Sequence, residues 1–173
     1  AVDVADRQTR VVSMPPGKTL SIDITIGSVR IDGWDRPEVE IVVERRAPSA
    51  AQFARLPLAI DDTPSRVTVR ALKTDNTTEP ALRADVVVRV PRQAVIERVE
   101  VLEGRIGVDG FSGRLTAAIK RGPVEGKDVS GTLRLEAEIG AISLTNARLS
   151  PNGLLRLRTF NGDVTLSLAE RPA

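Results

Sequence analysis

Apolar and polar residues alternate along most of this chain, and from residue 95 onward the alternation recurs around glycine. A fourteen-residue pattern, anchored on Gly104, Gly122, Gly140 and Gly162, sets two alternating apolar positions before the glycine and two after it. Val99, Ala117, Leu135 and Leu157 form one column, and Val101, Ile119, Ala137 and Thr159 the next. After the glycine come Ile106, Val124, Ile142 and Val164, then Val108, Gly126, Leu144 and Leu166. An earlier copy, Leu20, Ile22, Ile24, Gly27, Val29 and Ile31, fits the same frame. The last four glycines are 18, 18 and 22 residues apart. Such a period is that of a strand-turn-strand unit that buries its apolar face only by stacking on a copy of itself, a β-solenoid.

Ahead of the repeats the pattern predicts strands at Arg10–Met14, Leu20–Ile26, Ser28–Ile31, Val39–Glu44, Ile60–Thr63, Arg66–Leu72 and Leu82–Val90, with turns at Pro15-Pro16-Gly17, Asp32-Gly33 and Asp35-Arg36-Pro37. One short helix is expected over Ser49–Leu56, with Ser49 as its N-cap and Pro57 ending it. The fold expected is therefore all-β. A short, parallel β-helix-like solenoid over 95–168, right-handed as parallel crossovers favour, shares its core with N-terminal strands and loops over 1–94. Residues 1–173 make a single domain. The rung carrying Pro123 and Gly126 departs from the pattern and is expected to bend, and Ser150-Pro151-Asn152-Gly153 widens the last turn.

Composition sharpens this picture. With three Phe, one Trp and no Tyr, the core is aliphatic, which suits repetitive stacking. The 25 basic and 23 acidic residues are interleaved, so no long-range field steers the chain to nucleic acid, and so few aromatics make no base-stacking platform. There is no Cys and no His, which excludes disulfides, thiolate metal sites, cysteine nucleophiles and the commonest general base. No run of eighteen apolar residues could form a spanning helix. The chain starts at Ala1 rather than Met, which predicts a processed or truncated product whose signal peptide or anchor was lost.

Three passages carry a family likeness: Pro16-Gly17 leading into Leu20-Ser-Ile-Asp-Ile-Thr-Ile-Gly-Ser-Val-Arg-Ile-Asp-Gly-Trp-Asp35, the Val86-Val-Val-Arg-Val-Pro91 strand, and the Gly-x-[Ile/Val] rungs ending at Asn161-Gly-Asp-Val-Thr165. In these the chain resembles the bacterial putative adhesin family of β-solenoid domains, over nearly its whole length. The resemblance implies an exported, extracytoplasmic protein, in the periplasm, membrane-anchored or at the cell surface. It supplies no catalytic residue, metal ligand or cofactor site.

Candidate chemistry is sparse. Asp32, Asp109, Glu125 and Asp163 lie near the repeated corner, but their offsets from the glycine differ; only Asp32 and Asp109 are equivalent, and they are far apart in sequence. Turn acids that bond nearby backbone account for them as well as a cation site or a glycan-cleaving carboxylate pair does. Trp34 either stacks on a sugar or protein partner or plugs the solenoid. Arg156 and Arg158 form an outward pair on the last rung, open to an anionic polymer or simply solvated. Phe160 falls in an outward column with Leu102, Lys120 and Glu138 and is expected to contact a partner or a packed C-terminal segment. Trp34, Arg156, Arg158 and Phe160 are thus the candidate partner-binding residues, and no catalytic, metal or cofactor residue is expected. The function expected is non-enzymatic: an adhesin-like domain binding or organising an envelope protein or glycan. A carbohydrate-active β-helix enzyme and a module self-associating through its solenoid ends are the alternatives.

Overall fold

The computed structural model describes residues 4–15, 17–47, 49, 51, 53, 56–71, 83–148 and 154–168. Among the described residues thirteen strands form one hydrogen-bonded sheet: β1 (Val4–Ser13), β2 (Thr19–Trp34), β3 (Glu38–Ala47), β4 (Leu58–Asp62), β5 (Arg66–Ala71), β6 (Arg83–Pro91), β7 (Val95–Asp109), β8 (Arg114–Arg121), β9 (Val124–Lys127), β10 (Thr132–Ile139), β11 (Ile142–Ala147), β12 (Leu154–Asn161) and β13 (Val164–Leu168). Among the described residues no helix is long and apolar enough to cross a membrane. The helix expected over Ser49–Leu56 lies largely outside the described residues; a tight turn closed by the Leu56 N–H on the Phe53 carbonyl (3.0 Å) is what the rest of that segment shows.

Burial explains why β2 and β7 are the two long strands. Along β2 the buried aliphatic positions are Leu20, Ile22 and Ile24, then Val29 and Ile31; along β7 they are Ile96, Val99 and Val101, then Ile106 and Val108. Side chains on a flat strand alternate faces, so 24 and 29 would point oppositely. Both point inward because the backbone turns over at the glycine between them, Gly27 (φ +146°) and Gly104 (φ +150°). Each long strand consequently serves two runs of the sheet. Its first half lies in β4-β5-β2-β7-β8-β10-β12, and its second half in β1-β3-β6-β2-β7-β9-β11-β13. The inward side chains of both runs form one buried cluster.

Register follows the sequence pattern: Ile22 pairs Val99, Val99 pairs Ala117, Ala117 pairs Leu135 and Leu135 pairs Leu157, all parallel. Behind the corner, Ile106 pairs Val124, Val124 pairs Ile142 and Ile142 pairs Val164. The glycines themselves form a ladder. A β-carbon on Gly104, Gly122, Gly140 or Gly162 would fall 1.5, 1.8, 2.0 or 2.1 Å from the carbonyl oxygen of the preceding glycine. The rungs pack at the corner more closely than any side chain permits.

From β7 onward every pairing is parallel, whereas the N-terminal strands, whose direction the pattern left open, make the sheet as a whole mixed: β1-β3, β3-β6 and β4-β5 are antiparallel. The β4-β5 turn is a short hairpin, closed by Thr63 N–H on the Arg66 carbonyl (2.9 Å), and a tight return admits no parallel partner. The Pro123 and Gly126 rung does not bend: β9 keeps register with β7 and β11, and the Leu144 side chain occupies the space beside Gly126, 2.5 Å from where a β-carbon would sit. Finally, Asp32 and Asp109 are not remote from one another. They are cross-strand partners on β2 and β7, with Arg30 bonding Asp32 through Nε (3.2 Å).

The two ends of the stack differ. At the β1 end, Leu56 is fully buried, its carbonyl accepts from Arg45 Nη1 (2.9 Å), Arg45 also binds Asp6, and the Phe53 ring lies under the same guanidinium. At the other end Val164, Leu166 and Leu168, in columns buried on every other rung that carries them, are 44%, 44% and 52% exposed.

Candidate binding groove

Three outward columns precede the glycine corner on the first run. Six residues ahead of the glycine stand Ser21, Arg98, Thr116, Arg134 and Arg156; four ahead, Asp23, Glu100, Ala118, Glu136 and Arg158; two ahead, Thr25, Leu102, Lys120, Glu138 and Phe160. The last two columns line a groove of ≈ 740 Å³ across β2, β7, β8, β10 and β12. Ala118, the smallest side chain in its column, leaves a dip between Glu100 and Glu136, while Leu102 and Phe160 rise beside it.

Charge is distributed unevenly along the groove. At the β2 and β7 end, Arg98 binds Glu100 and lies 3.4 Å from the largely buried Asp23 carboxylate. The hydrogen bond to Glu100, and then the negative charges of Asp23 and Glu100, hold the Arg98 guanidinium above its ordinary pKa, so the one cation at this end is engaged by two carboxylates. At the β8, β10 and β12 end, Lys120, Glu136, Glu138 and Arg158 make no ion pair among the described residues. Donors, acceptors and the Phe160 ring, 88% exposed, are all available there. An aromatic face beside separated cations and carboxylates suits a polyhydroxyl or peptide ligand.

The structure brings together two of the four residues singled out in the sequence, Arg158 and Phe160, with Arg156 on the same face of β12 one column away. Trp34 lies elsewhere, at the far end of β2. Its Nε1–H donates to the Glu38 carbonyl (2.7 Å) and Arg36 stacks over its ring. Of the four corner acids only Asp32 and Asp109 are neighbours, across β2 and β7; among the described residues no three acidic side chains gather into a cation site. The groove floor at Ala118 and the Arg98–Asp23–Glu100 cluster escaped sequence reading, although the alignment of Gly27 with Gly104 already set Asp23 beside Glu100.

A second repeat went unread as well. Phe111, Val129 and Ala147 are buried at 18-residue intervals, the first two just after β7 and β9 and the third at the end of β11, each preceded by a positive-φ residue: Gly110, Asp128 or Asn146. Asn146 Nδ2 bonds the Asp128 carboxylate, joining neighbouring turns.

Neither a protein-family model nor a curated protein sequence matches the chain. Among solved structures it is similar to a putative cell adhesion protein from Clostridium sporogenes, with a TM-score of 0.63 and 8% identity over 94% of this chain and 100% of that one. It also aligns with a putative lipid binding protein (TM-score 0.40, 10% identity) and a putative adhesin (TM-score 0.32, 13% identity), both from Parabacteroides distasonis, each over 93% of this chain and 78% of the other. Those two superpose too loosely to define a common fold. The expected likeness to adhesins is met, at the level of fold, by the Clostridium protein.

Proposed function

We propose that this chain is a single, exported, non-enzymatic adhesin-like domain, a β-solenoid closed at one end by antiparallel strands, that binds a glycan or protein of the bacterial envelope. The observation that carries the reading is the groove: an almost fully exposed Phe160 beside the unpaired Lys120 and Arg158, on a fold similar to that of the putative cell adhesion protein from Clostridium sporogenes. A rigid strand stack costs little entropy to present such a surface, and an exposed aromatic flanked by charge is the usual composition of a binding hot spot. The extracytoplasmic location rests on the family resemblance.

The test is capture from a bacterial envelope fraction, run beside a glycan array, with the intact domain and its Phe160→Ala, Arg158→Ala and Trp34→Ala variants. A saturable partner retained by Trp34→Ala and lost by the other two is expected. Failure of the intact domain to capture any partner, or equal capture by all four proteins, refutes the groove as the binding site.

A further inference from the structure

Among the described residues the stack is open at its β12 and β13 end. β12 pairs only with β10, and β13 only with β11, among the described residues, so each leaves a row of backbone donors and acceptors without a strand partner. Leu155 and Leu157, and Val164, Leu166 and Leu168 beyond the corner, have lost the covering that the same columns receive on inner rungs. Thr159 replaces the aliphatic residue of its column, and its hydroxyl turns back to the Gly140 carbonyl (2.8 Å), leaving the outer side of the rung free.

Charge selects what would fit there. Several inner arginines find a carboxylate on the adjacent strand: Arg45 on β3 binds Asp6 on β1, Arg121 on β8 binds Glu103 on β7 (3.2 Å), and Arg89 on β6 lies 3.9 Å from Glu40 on β3. On the edge strand β12, Arg156 and Arg158 make no ion pair among the described residues, and neither does Arg134 beside Arg156 on β10; of the two edge arginines only Arg158 has a carboxylate-bearing neighbour, Glu136. A second copy of this chain is a poor match, since antiparallel pairing of β12 on itself centred on Leu157 sets Arg156 against Arg158, and like charges opposite one another destabilise a ladder.

We infer that β12 accepts an added strand from a partner protein whose sequence alternates aliphatic residues with Asp or Glu. Its aliphatic side chains would cover Leu155 and Leu157, its carboxylates would meet Arg156 and Arg158, and its backbone would complete the ladder, as strand addition to an open sheet edge does elsewhere. This site is distinct from the groove, although it shares Arg158 at the groove's end.

The experiment uses the whole chain and a fluorescein-labelled peptide, Thr-Val-Glu-Val-Glu-Val-Thr, followed by anisotropy at 50 and 300 mM NaCl, with a Lys-for-Glu peptide and a backbone N-methylated Glu peptide as controls. Saturable binding of the Glu peptide alone is expected, at least threefold weaker at the higher salt. The double variant Arg156→Glu/Arg158→Glu, altered only at exposed positions, should lose that binding tenfold or more and acquire affinity for the Lys peptide. Sedimentation of the chain alone should show a monomer. The inference is overturned by any of four results: no binding of the Glu peptide, which leaves the arginines as guards against edge pairing; equal binding of the Lys or the N-methylated peptide; binding that survives the charge reversal; or a dimer that occupies the edge and excludes the peptide.

Discussion

Replacing Gly104 by alanine tests the corner on which both runs depend. The new β-carbon would lie 1.5 Å from the Gly27 carbonyl oxygen, and the obstacle is backbone, so no rotamer relieves it. β7 must retreat from β2 by roughly as much again, which breaks one or two ladder hydrogen bonds worth about 1 kcal/mol each. Holding a residue with a β-carbon at φ +150° adds about 1–3 kcal/mol. The expected loss is on the order of 2–5 kcal/mol, a large part of the 5–15 kcal/mol that a domain usually has. Two further glycines calibrate the effect. Gly17 has φ +91° but open space around it, so Gly17→Ala should cost only about 1–2 kcal/mol. Gly107 has open space and no such backbone strain, and Gly107→Ala should stay within about 0.5 kcal/mol of the parent. Urea unfolding followed by the fluorescence of Trp34, the sole tryptophan, reads all three, with unchanged m confirming that only stability moved. If Gly104→Ala loses no more than Gly17→Ala, close approach of the rungs is not what the glycine ladder provides.

Other substitutions separate core, end and surface. Phe111 is among the largest fully buried side chains, so Phe111→Ala should lose about 3–5 kcal/mol in the same urea assay. Lys18, nearly buried, donates to Asp62 Oδ1 (2.5 Å) and the Ser13 carbonyl (3.1 Å); Lys18→Ala should cost about 1–3 kcal/mol, because Asp62 keeps partial access to water, and guanidinium-free thermal melts will check it. Phe160→Ala should leave stability within about 0.5 kcal/mol of the parent, so any loss of partner capture reports the surface alone. Stability should be flat between pH 6 and 8: the chain has no His, and Arg98, whose raised folded pKa contributes fully below the unfolded value and is lost only as pH climbs through the folded one, stays protonated throughout. A melting temperature that moves by several degrees across that window would contradict this.

What could be read in advance was whatever the core enforces. Val99, Ala117, Leu135 and Leu157 had to align, since a slip of one residue would turn each of them to solvent. Parity also placed Phe160 with Leu102, Lys120 and Glu138 on the outer face, and the groove confirms that arrangement. Distance along the chain misled at Asp32 and Asp109, because the β3–β6 excursion lies between two strands that pair directly. Antiparallel β1, β3 and β4 were not legible as such, since strand direction depends on turns rather than on alternation. The bend expected at Pro123 did not occur because Leu144, on the neighbouring strand, fills the gap beside Gly126, a compensation that only the register reveals.

The pairing of β2 with β7 bears on the order in which the stack assembles. From β7 onward most rungs lie 18 residues from the next, whereas Gly27 and Gly104 meet across roughly 80 residues of chain. Loop-closure entropy grows only with the logarithm of length, so the long closure costs about 1.3 kcal/mol more than an 18-residue step. The later rungs can therefore condense one upon another while β2 joins at a modest penalty, and the intervening excursion could lengthen or shorten between related chains with little thermodynamic consequence for the rungs on either side.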